Sequence, residues 1–163
     1  YRIKEKLPSN IGFFTSPIGK IEILKDGNDI TIISYGATLQ IVLEASIELE
    51  KFNISAEVID IQSLIPFDTS NEIKTSINKT NRLMIVDEDM PGGGSAYILQ
   101  QLLDHQKIYN ILDSEPRLLS SKEHRPAYGT DGDYFSKPNT NDIFEEAYKL
   151  MNESNPNKYP DIL

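Results

Sequence analysis

The sequence predicts an α/β fold of three layers, in which helices cover both faces of a mostly parallel sheet. Runs that are apolar on both faces, such as residues 30–34 and 56–61, are typical of central strands that are buried on each side. Segments with apolar residues at every third or fourth position follow these runs and indicate amphipathic helices. Because strands and helices alternate, we expect parallel pairing through right-handed crossovers.

In the first half of the chain, the pattern changes from irregular to strand and then to helix. Pro8, Gly12 and Pro17 interrupt residues 1–19, which we interpret as an N-terminal arm or interdomain linker. The elements predicted after the arm are a strand at 21–24, a turn at 26–28, a strand at 30–34, a helix at 38–51 and a strand at 56–61.

The second half continues the alternation and ends in a helix. Asp68 or Thr69 is a suitable cap for a helix that runs to about Lys79. The later predicted elements are a strand at 82–86, a glycine loop at 92–94, a helix from 95, a strand at 117–120, a loop at 124–140 and a helix at 142–152. We divide the chain into the arm, a domain at 20–153 and a tail at 154–163.

Composition limits the classes of function. The formal net charge of -9 disfavours nucleic acid and anionic lipid as partners, because both attract Lys and Arg. The absence of cysteine excludes thiolate catalysis and disulfides, and makes the cytoplasm the expected compartment. No apolar run is long enough to predict a membrane span.

No motif in the chain assigns a catalytic, cofactor-binding or metal-binding residue. The sequence at 130–133 partly matches a thiamine-diphosphate motif, but Thr130 replaces its first glycine, and we interpret the segment as a polar turn. Gly92–Gly94 could bind an anion at a helix N-terminus, although acidic residues at 87–89 favour close backbone packing or an interface. Neither histidine accompanies the G-x-S-x-G motif of a hydrolase.

Four ordered segments resemble the C-terminal domain of a thiamine-diphosphate-dependent 2-oxo acid dehydrogenase E1 component of beta type. They are Asp29-Ile-Thr-Ile-Ile-Ser-Tyr-Gly36, Ala56-Glu-Val-Ile-Asp-Ile-Gln-Ser-Leu-Ile-Pro-Phe-Asp68, Thr80-Asn-Arg-Leu-Met-Ile-Val-Asp-Glu88 and Gly93-Gly-Ser-Ala96. The resemblance covers about residues 17–152. Gln62 stands where the family usually has Arg, Asn81 replaces a turn glycine, and the segment at 124–138 is longer than its family counterpart.

The resemblance implies a flavodoxin-like fold with a five-stranded sheet whose first strand is antiparallel to the others. It also implies that thiamine diphosphate and Mg²⁺ lie in other domains of the full enzyme and that this fragment is not catalytic by itself. The implied partners are other E1 domains or subunits, in a dimer or heterotetramer, and the small basic peripheral subunit-binding domain of the E2 acyltransferase.

Three groups of residues are candidates for E2 docking or for a subunit interface. Asp113 and Glu115 occupy a position where the resemblance implies an acidic residue that faces E2, with an acidic solvated turn as the alternative. The second group is Gly92, Gly93 and Gly94. The third contains aromatic residues on irregular segments, which pack either against a partner or locally, namely Tyr128, Tyr134 and Phe135, together with Tyr1 and Tyr159.

The function implied by the resemblance is assembly of an E1 component. The whole enzyme would decarboxylate a branched-chain 2-oxo acid or pyruvate and transfer the acyl group to the lipoyl-lysine of E2. Two alternatives stay open. One is the C-terminal domain of a transketolase or a deoxyxylulose-phosphate synthase. The other is a stand-alone doubly wound binding or regulatory module, with its ligand near Gly36 or Gly92 at the strand ends.

Overall fold

The computed structural model describes residues 6–125, 128, 129 and 132–162, and it contains a five-stranded sheet. The strands are β1 (Glu22–Lys25), β2 (Ile30–Ser34), β3 (Ala56–Asp60), β4 (Leu83–Val86) and β5 (Arg117–Leu119). Their spatial order is β1-β3-β2-β4-β5, and only β1 is antiparallel to its neighbour. This arrangement confirms the three-layer α/β fold and the antiparallel first strand.

Helices lie on both faces of the sheet. They are α1 (Thr38–Glu50), α2 (Glu72–Thr80), α3 (Gly94–Gln100), α4 (Gly132–Ser136) and α5 (Thr140–Ser154). A π-helical turn at Gln101–His105 extends α3. The short helix α4 corrects the prediction of an uninterrupted loop at 124–140. Within the described residues, no helix has both the length and the apolar character needed to cross a membrane.

Two apolar clusters, one on each face of the sheet, form the core. On the first face, α1 and α5 pack against alternate residues of the central strands, including Ile32, Val58 and Met84. On the second face, α2 and α3 pack against the intervening residues, including Ile33, Ile59 and Ile85. Because successive side chains of a strand point to opposite faces, each run that is apolar on both faces contributes residues to both clusters.

Two helix starts differ from the sequence prediction for identifiable reasons. Helix α2 begins at Glu72, but the buried Asp68 still caps it, since its carboxylate accepts hydrogen bonds from the backbone N–H groups of Glu72 and Ile73. Helix α5 begins two residues earlier than predicted, because Asn139 and Asp142 form a reciprocal capping box.

Candidate functional site

The strands β3 and β4 lie on opposite sides of β2, so the topology switches direction between β2 and β4. The crevice at the carboxyl ends of these two strands is the usual position of a ligand in a doubly wound fold. Asp87 occupies this crevice and is 1% exposed. Its Oδ1 accepts hydrogen bonds from the Tyr35 hydroxyl (2.8 Å) and the Asp89 N–H (3.0 Å). Its Oδ2 accepts one from the Ser95 N–H at the start of α3 (2.9 Å).

The crevice is therefore closed by side chains of the chain itself. Burial and the hydrogen bond to Asp87 raise the pKa of Tyr35, so the phenol stays a proton donor at neutral pH. A Cβ atom at Gly94 would collide with the Tyr35 hydroxyl, and one at Gly93 would collide with the Asp89 carboxylate. Close packing thus accounts for the glycines at 93 and 94 and counts against a ligand at the carboxyl ends of these strands.

A second concave region lies at the opposite, amino end of the parallel strands, next to the start of β5. It is a pocket of about 520 Å³ lined by Tyr109, Leu112, Asp113, Ser114, Glu115 and Pro116. Its lining is apolar and acidic, and we refer to residues 109–116 as the acidic loop. The pocket contains both acidic docking candidates, whereas Gly92–Gly94 follow β4 at the carboxyl ends of the strands and do not line it.

Two consecutive residues at the end of α2 hold the acidic loop in place. The Asn81 side-chain amide donates to the Ile111 carbonyl (3.0 Å), and the Asn81 carbonyl accepts from the Asp113 N–H (3.0 Å). The Arg82 guanidinium donates to Asp113 Oδ2 (2.6 Å) and to the Asp29 carbonyl (2.9 Å). Asn81, at φ 59°, adopts the left-handed conformation that its family position requires, and its side chain adds a contact that glycine lacks.

The two acidic candidates have different environments. Asp113 is tied to Arg82 and also accepts from the Ser114 hydroxyl (3.1 Å), so part of its role is to fix the loop. Glu115 is 81% exposed, and the nearest cation among the described residues, Arg117 Nη1, lies 3.6 Å from its Oε2. Glu115 is therefore the more available carboxylate. The sequence analysis did not identify Tyr109 as part of this pocket. The only indication in the sequence is that an aromatic residue precedes the polar segment.

The aromatic candidates are largely solvent-accessible. Tyr128, Tyr134 and Phe135 are all exposed, and cations lie near two of their rings. Lys122 Nζ is 3.7 Å from the Phe135 ring centroid, and Arg125 lies 4.8 Å from that of Tyr128. Their proposed interface role stays a prediction.

The other aromatic candidates and the partial thiamine-diphosphate motif have different outcomes. Tyr159 is buried against Tyr148, so local packing accounts for it. Tyr1, Thr130 and Asp131 lie outside the described residues.

The departure from the family pattern at Gln62 has a structural counterpart. The Gln62 side-chain amide donates to Glu22 Oε2 (2.8 Å), and its backbone N–H donates to Asp60 Oδ1 (3.1 Å). Burial and the nearby charge of Glu22 raise the pKa of Asp60. A hydrogen bond from a neutral amide thus stands where an arginine would form an ion pair, so Gln62 leaves the negative charge of Glu22 unbalanced.

The described part of the chain contains no group of three or more His, Asp or Glu side chains arranged to hold a metal ion. The N-terminus of α3, which could otherwise receive a diphosphate, already donates to Asp87. These residues do not fit thiamine diphosphate or its Mg²⁺, so no chemical step can be assigned to them.

The order of the strands and the helices on both faces of the sheet define a doubly wound α/β domain. Residues 19–134 match the family described as "Transketolase, C-terminal domain", and the chain belongs to that family. Two solved structures share the fold. A split-gene transketolase, titled as an inactive beta4 tetramer, has a TM-score of 0.67 at 23% identity and covers 85% of this chain and 43% of its own. A 2-oxoglutarate:ferredoxin oxidoreductase from Magnetococcus marinus has a TM-score of 0.51 at 16% identity and covers 85% and 20%.

Three of the curated relatives that the chain matches are beta subunits. The pyruvate dehydrogenase E1 component subunit beta of Mesostigma viride is 34% identical over 151 residues, which is 93% of this chain and 45% of the relative. The beta subunit of the acetoin:2,6-dichlorophenolindophenol oxidoreductase of Bacillus subtilis is 36% identical over 126 residues, or 77% and 35%. The corresponding pyruvate dehydrogenase subunit of Staphylococcus aureus is 35% identical over 138 residues, or 85% and 42%. The chain thus spans less than half the length of these relatives.

Proposed function

We propose that this chain is the association domain of a beta-type E1 component of a 2-oxo acid dehydrogenase complex. The main support for this proposal is the acidic loop, which Asn81 and Arg82 fix in place beside the edge strand β5. The crevice that could hold a small ligand is instead closed by Asp87. The similarity to beta subunits of pyruvate dehydrogenase and acetoin oxidoreductase supports this proposal.

In this proposal the chain contributes docking surface and no chemistry of its own. The whole enzyme decarboxylates pyruvate or a branched-chain 2-oxo acid and passes the acyl group to E2. Thiamine diphosphate and Mg²⁺ are held by other parts of the enzyme, because the residues described here do not fit them. Tyr128, Tyr134 and Phe135 contact other E1 subunits, and the acidic loop contacts the basic peripheral subunit-binding domain of E2. The cytoplasm is the proposed compartment.

Charge reversal at Glu115 tests the docking role. We expect Glu115→Lys to weaken binding to the E2 peripheral subunit-binding domain by about tenfold at low salt, because it replaces attraction with repulsion at the rim of the pocket. The effect should shrink as the salt concentration rises, since Glu115 is exposed. Isothermal titration calorimetry at two ionic strengths measures both changes.

Glu145→Lys, at an exposed position on α5 away from the pocket, is the matched control and should leave the affinity unchanged. Asp113→Lys is less informative, because it also breaks the contact with Arg82. Equal affinities for the parent and Glu115→Lys chains would refute docking at this loop, and failure of the parent to bind the E2 domain would refute the proposed function.

A further inference from the structure

We propose that the pocket between β1 and α2 binds the ammonium group of a small primary alkylamine, which donates a hydrogen bond to the buried carboxylate of Glu57. The pocket has a volume of about 340 Å³. The residues that line it are Ile23, Glu57, Glu72, Thr75, Ser76 and Lys79. It shares no residue with the acidic loop or with the crevice at Asp87, so this inference is independent of the proposed docking function.

The Glu57 carboxylate lacks a hydrogen-bond donor. Glu57 is 0% exposed, and its Oε2 forms an ion pair with Lys79. Its Oε1 is buried and accepts no hydrogen bond from any of the described residues. A buried carboxylate oxygen without a donor is costly, because it has lost its contact with water. Since Glu57 lines the pocket, a donor group that enters the pocket can restore this hydrogen bond.

The charges around the pocket favour a cationic donor over a neutral one. Lys79 is shared between two carboxylates, since its Nζ also donates to Asp26 Oδ1 (2.7 Å). Lys20 forms a separate ion pair with Glu72 (2.8 Å). These ion pairs join three carboxylates to two ammonium groups and leave one negative charge in excess. A bound monocation balances this charge, and the attraction is stronger beside a buried carboxylate than beside an exposed one.

The acceptors favour an ammonium group over a guanidinium. A guanidinium binds a carboxylate best through both oxygens, but Lys79 already occupies Oε2 of Glu57. An ammonium group is compact and needs only the free oxygen. Further acceptors line the same pocket, namely the Glu72 carboxylate and the Thr75 hydroxyl. The Thr75 hydroxyl donates its proton to the Asn71 carbonyl (3.3 Å), so its lone pairs are available to a ligand.

Ile23 favours an alkyl group behind the ammonium. It lies on β1 at the end of the sheet, it is 47% exposed, and it lines the pocket. An alkyl chain can pack against Ile23 while the charged end lies against Glu57, and this contact removes apolar surface from water. The ligand is therefore expected to be an alkylammonium rather than the ammonium ion itself.

Titration of the isotopically labelled chain with butylammonium chloride, followed by NMR at constant ionic strength, tests the inference. We expect saturable shifts of the backbone amides of Ile23, Glu57 and Thr75. Butanol, which has the same alkyl chain without the charge, and potassium chloride should cause no saturable shifts of these amides. Ammonium chloride, which lacks the alkyl chain, should bind at least about threefold more weakly than butylammonium.

Two substitutions test the assigned carboxylates. Glu57→Gln removes the buried charge and should weaken butylammonium binding by about tenfold or more, because a charge-assisted hydrogen bond is lost. Glu72→Gln removes a charge at a partly exposed position, leaves the core intact and should weaken binding by about threefold. It therefore tests the site even if Glu57→Gln does not fold. Glu145→Gln, at an exposed position on α5, is the matched control and should bind as the parent does.

The absence of saturable shifts in the parent, or equal affinities of the parent and Glu72→Gln chains, would overturn the inference. So would butanol or potassium chloride that binds as tightly as butylammonium chloride. Titration with N-acetyl-lysine amide then identifies the source of the ammonium group. If this amide binds more tightly than butylammonium, the site receives a lysine side chain of a protein and the free amine is wrong. Tighter binding of butylammonium supports a free alkylamine as the ligand.

Discussion

Replacing Asp87 with alanine is expected to lower the free energy of unfolding by about 3–5 kcal/mol, because a buried acceptor of three hydrogen bonds is lost. The change leaves the Tyr35 hydroxyl and the N–H groups of Asp89 and Ser95 without their acceptor, a carboxylate on a residue that is 1% exposed. Urea denaturation at neutral pH measures the difference.

Two comparisons make the Asp87 result specific. Asp104→Ala removes an exposed carboxylate from the π-helical turn and should change the free energy of unfolding by less than about 0.5 kcal/mol. Tyr35→Phe removes one of the three donors and should cost about 1–2 kcal/mol. If Asp87→Ala is no more destabilising than Asp104→Ala, then Asp87 does not close the crevice in the way described.

Replacing Lys79 with alanine is expected to cost about 3 kcal/mol, because it removes a cation from a buried carboxylate. Glu57, on β3, is 0% exposed, and Lys79 of α2 forms ion pairs with it and with Asp26 (2.7 Å). In the variant, the Glu57 carboxyl group would lie in the core without a cation beside it. Thermal or urea unfolding of the variant and the parent at neutral pH provides the measurement.

Lys149→Ala is the matched control for Lys79. Lys149 pairs with Glu146 one turn away on the exposed side of α5, so its removal should cost less than about 0.5 kcal/mol. The double variant Lys79→Ala/Glu57→Gln should regain more than half of the loss, because it removes the buried charge of Glu57 together with its cation. A double variant no more stable than Lys79→Ala would contradict an electrostatic origin of the effect.

The same ion pairs predict how stability depends on pH. Burial opposes the charge of Lys79, but hydrogen bonds to Asp26 and Glu57 outweigh it and raise the pKa of Lys79 above its usual 10.5. A cation whose pKa is higher in the folded state contributes stability below its unfolded pKa and loses it as the pH rises through the folded one. Alkaline unfolding above pH 10.5 should therefore be steeper for the parent than for Lys79→Ala.

Much of the fold could be predicted, because local patterns correspond to the two faces of the sheet. Residues 30–34 and 56–61 had to be covered on both sides, which requires helices on each face. Asp68 was identified as a helix cap, and it does cap α2, although from four residues before the helix begins. The ordered motifs identified the family, which the match over residues 19–134 confirms.

Local patterns could not predict the short helix α4 or the π-helical turn after α3. Helix α4 has five residues, too few for an amphipathic period to be visible. The π-helical turn ends next to Gln106, whose side chain donates to Asp68 from 38 positions away. Such a contact depends on how α2 and α3 pack on the sheet, and the sequence around Gln106 contains no trace of it.

The sequence by itself determined the class of fold, the order of its elements, its family and the candidate role of its acidic residues, because these depend on short-range periodicity and on motifs. Only the tertiary structure decided that Asp87 and Tyr35, 52 positions apart, close the crevice. It also showed that Arg82, 31 positions away, binds Asp113, whereas Glu115 is more accessible to a partner. Tyr109 lines the same pocket. The physical reason is that availability for binding depends on which neighbours neutralise or bury a group, and those neighbours come from distant parts of the chain.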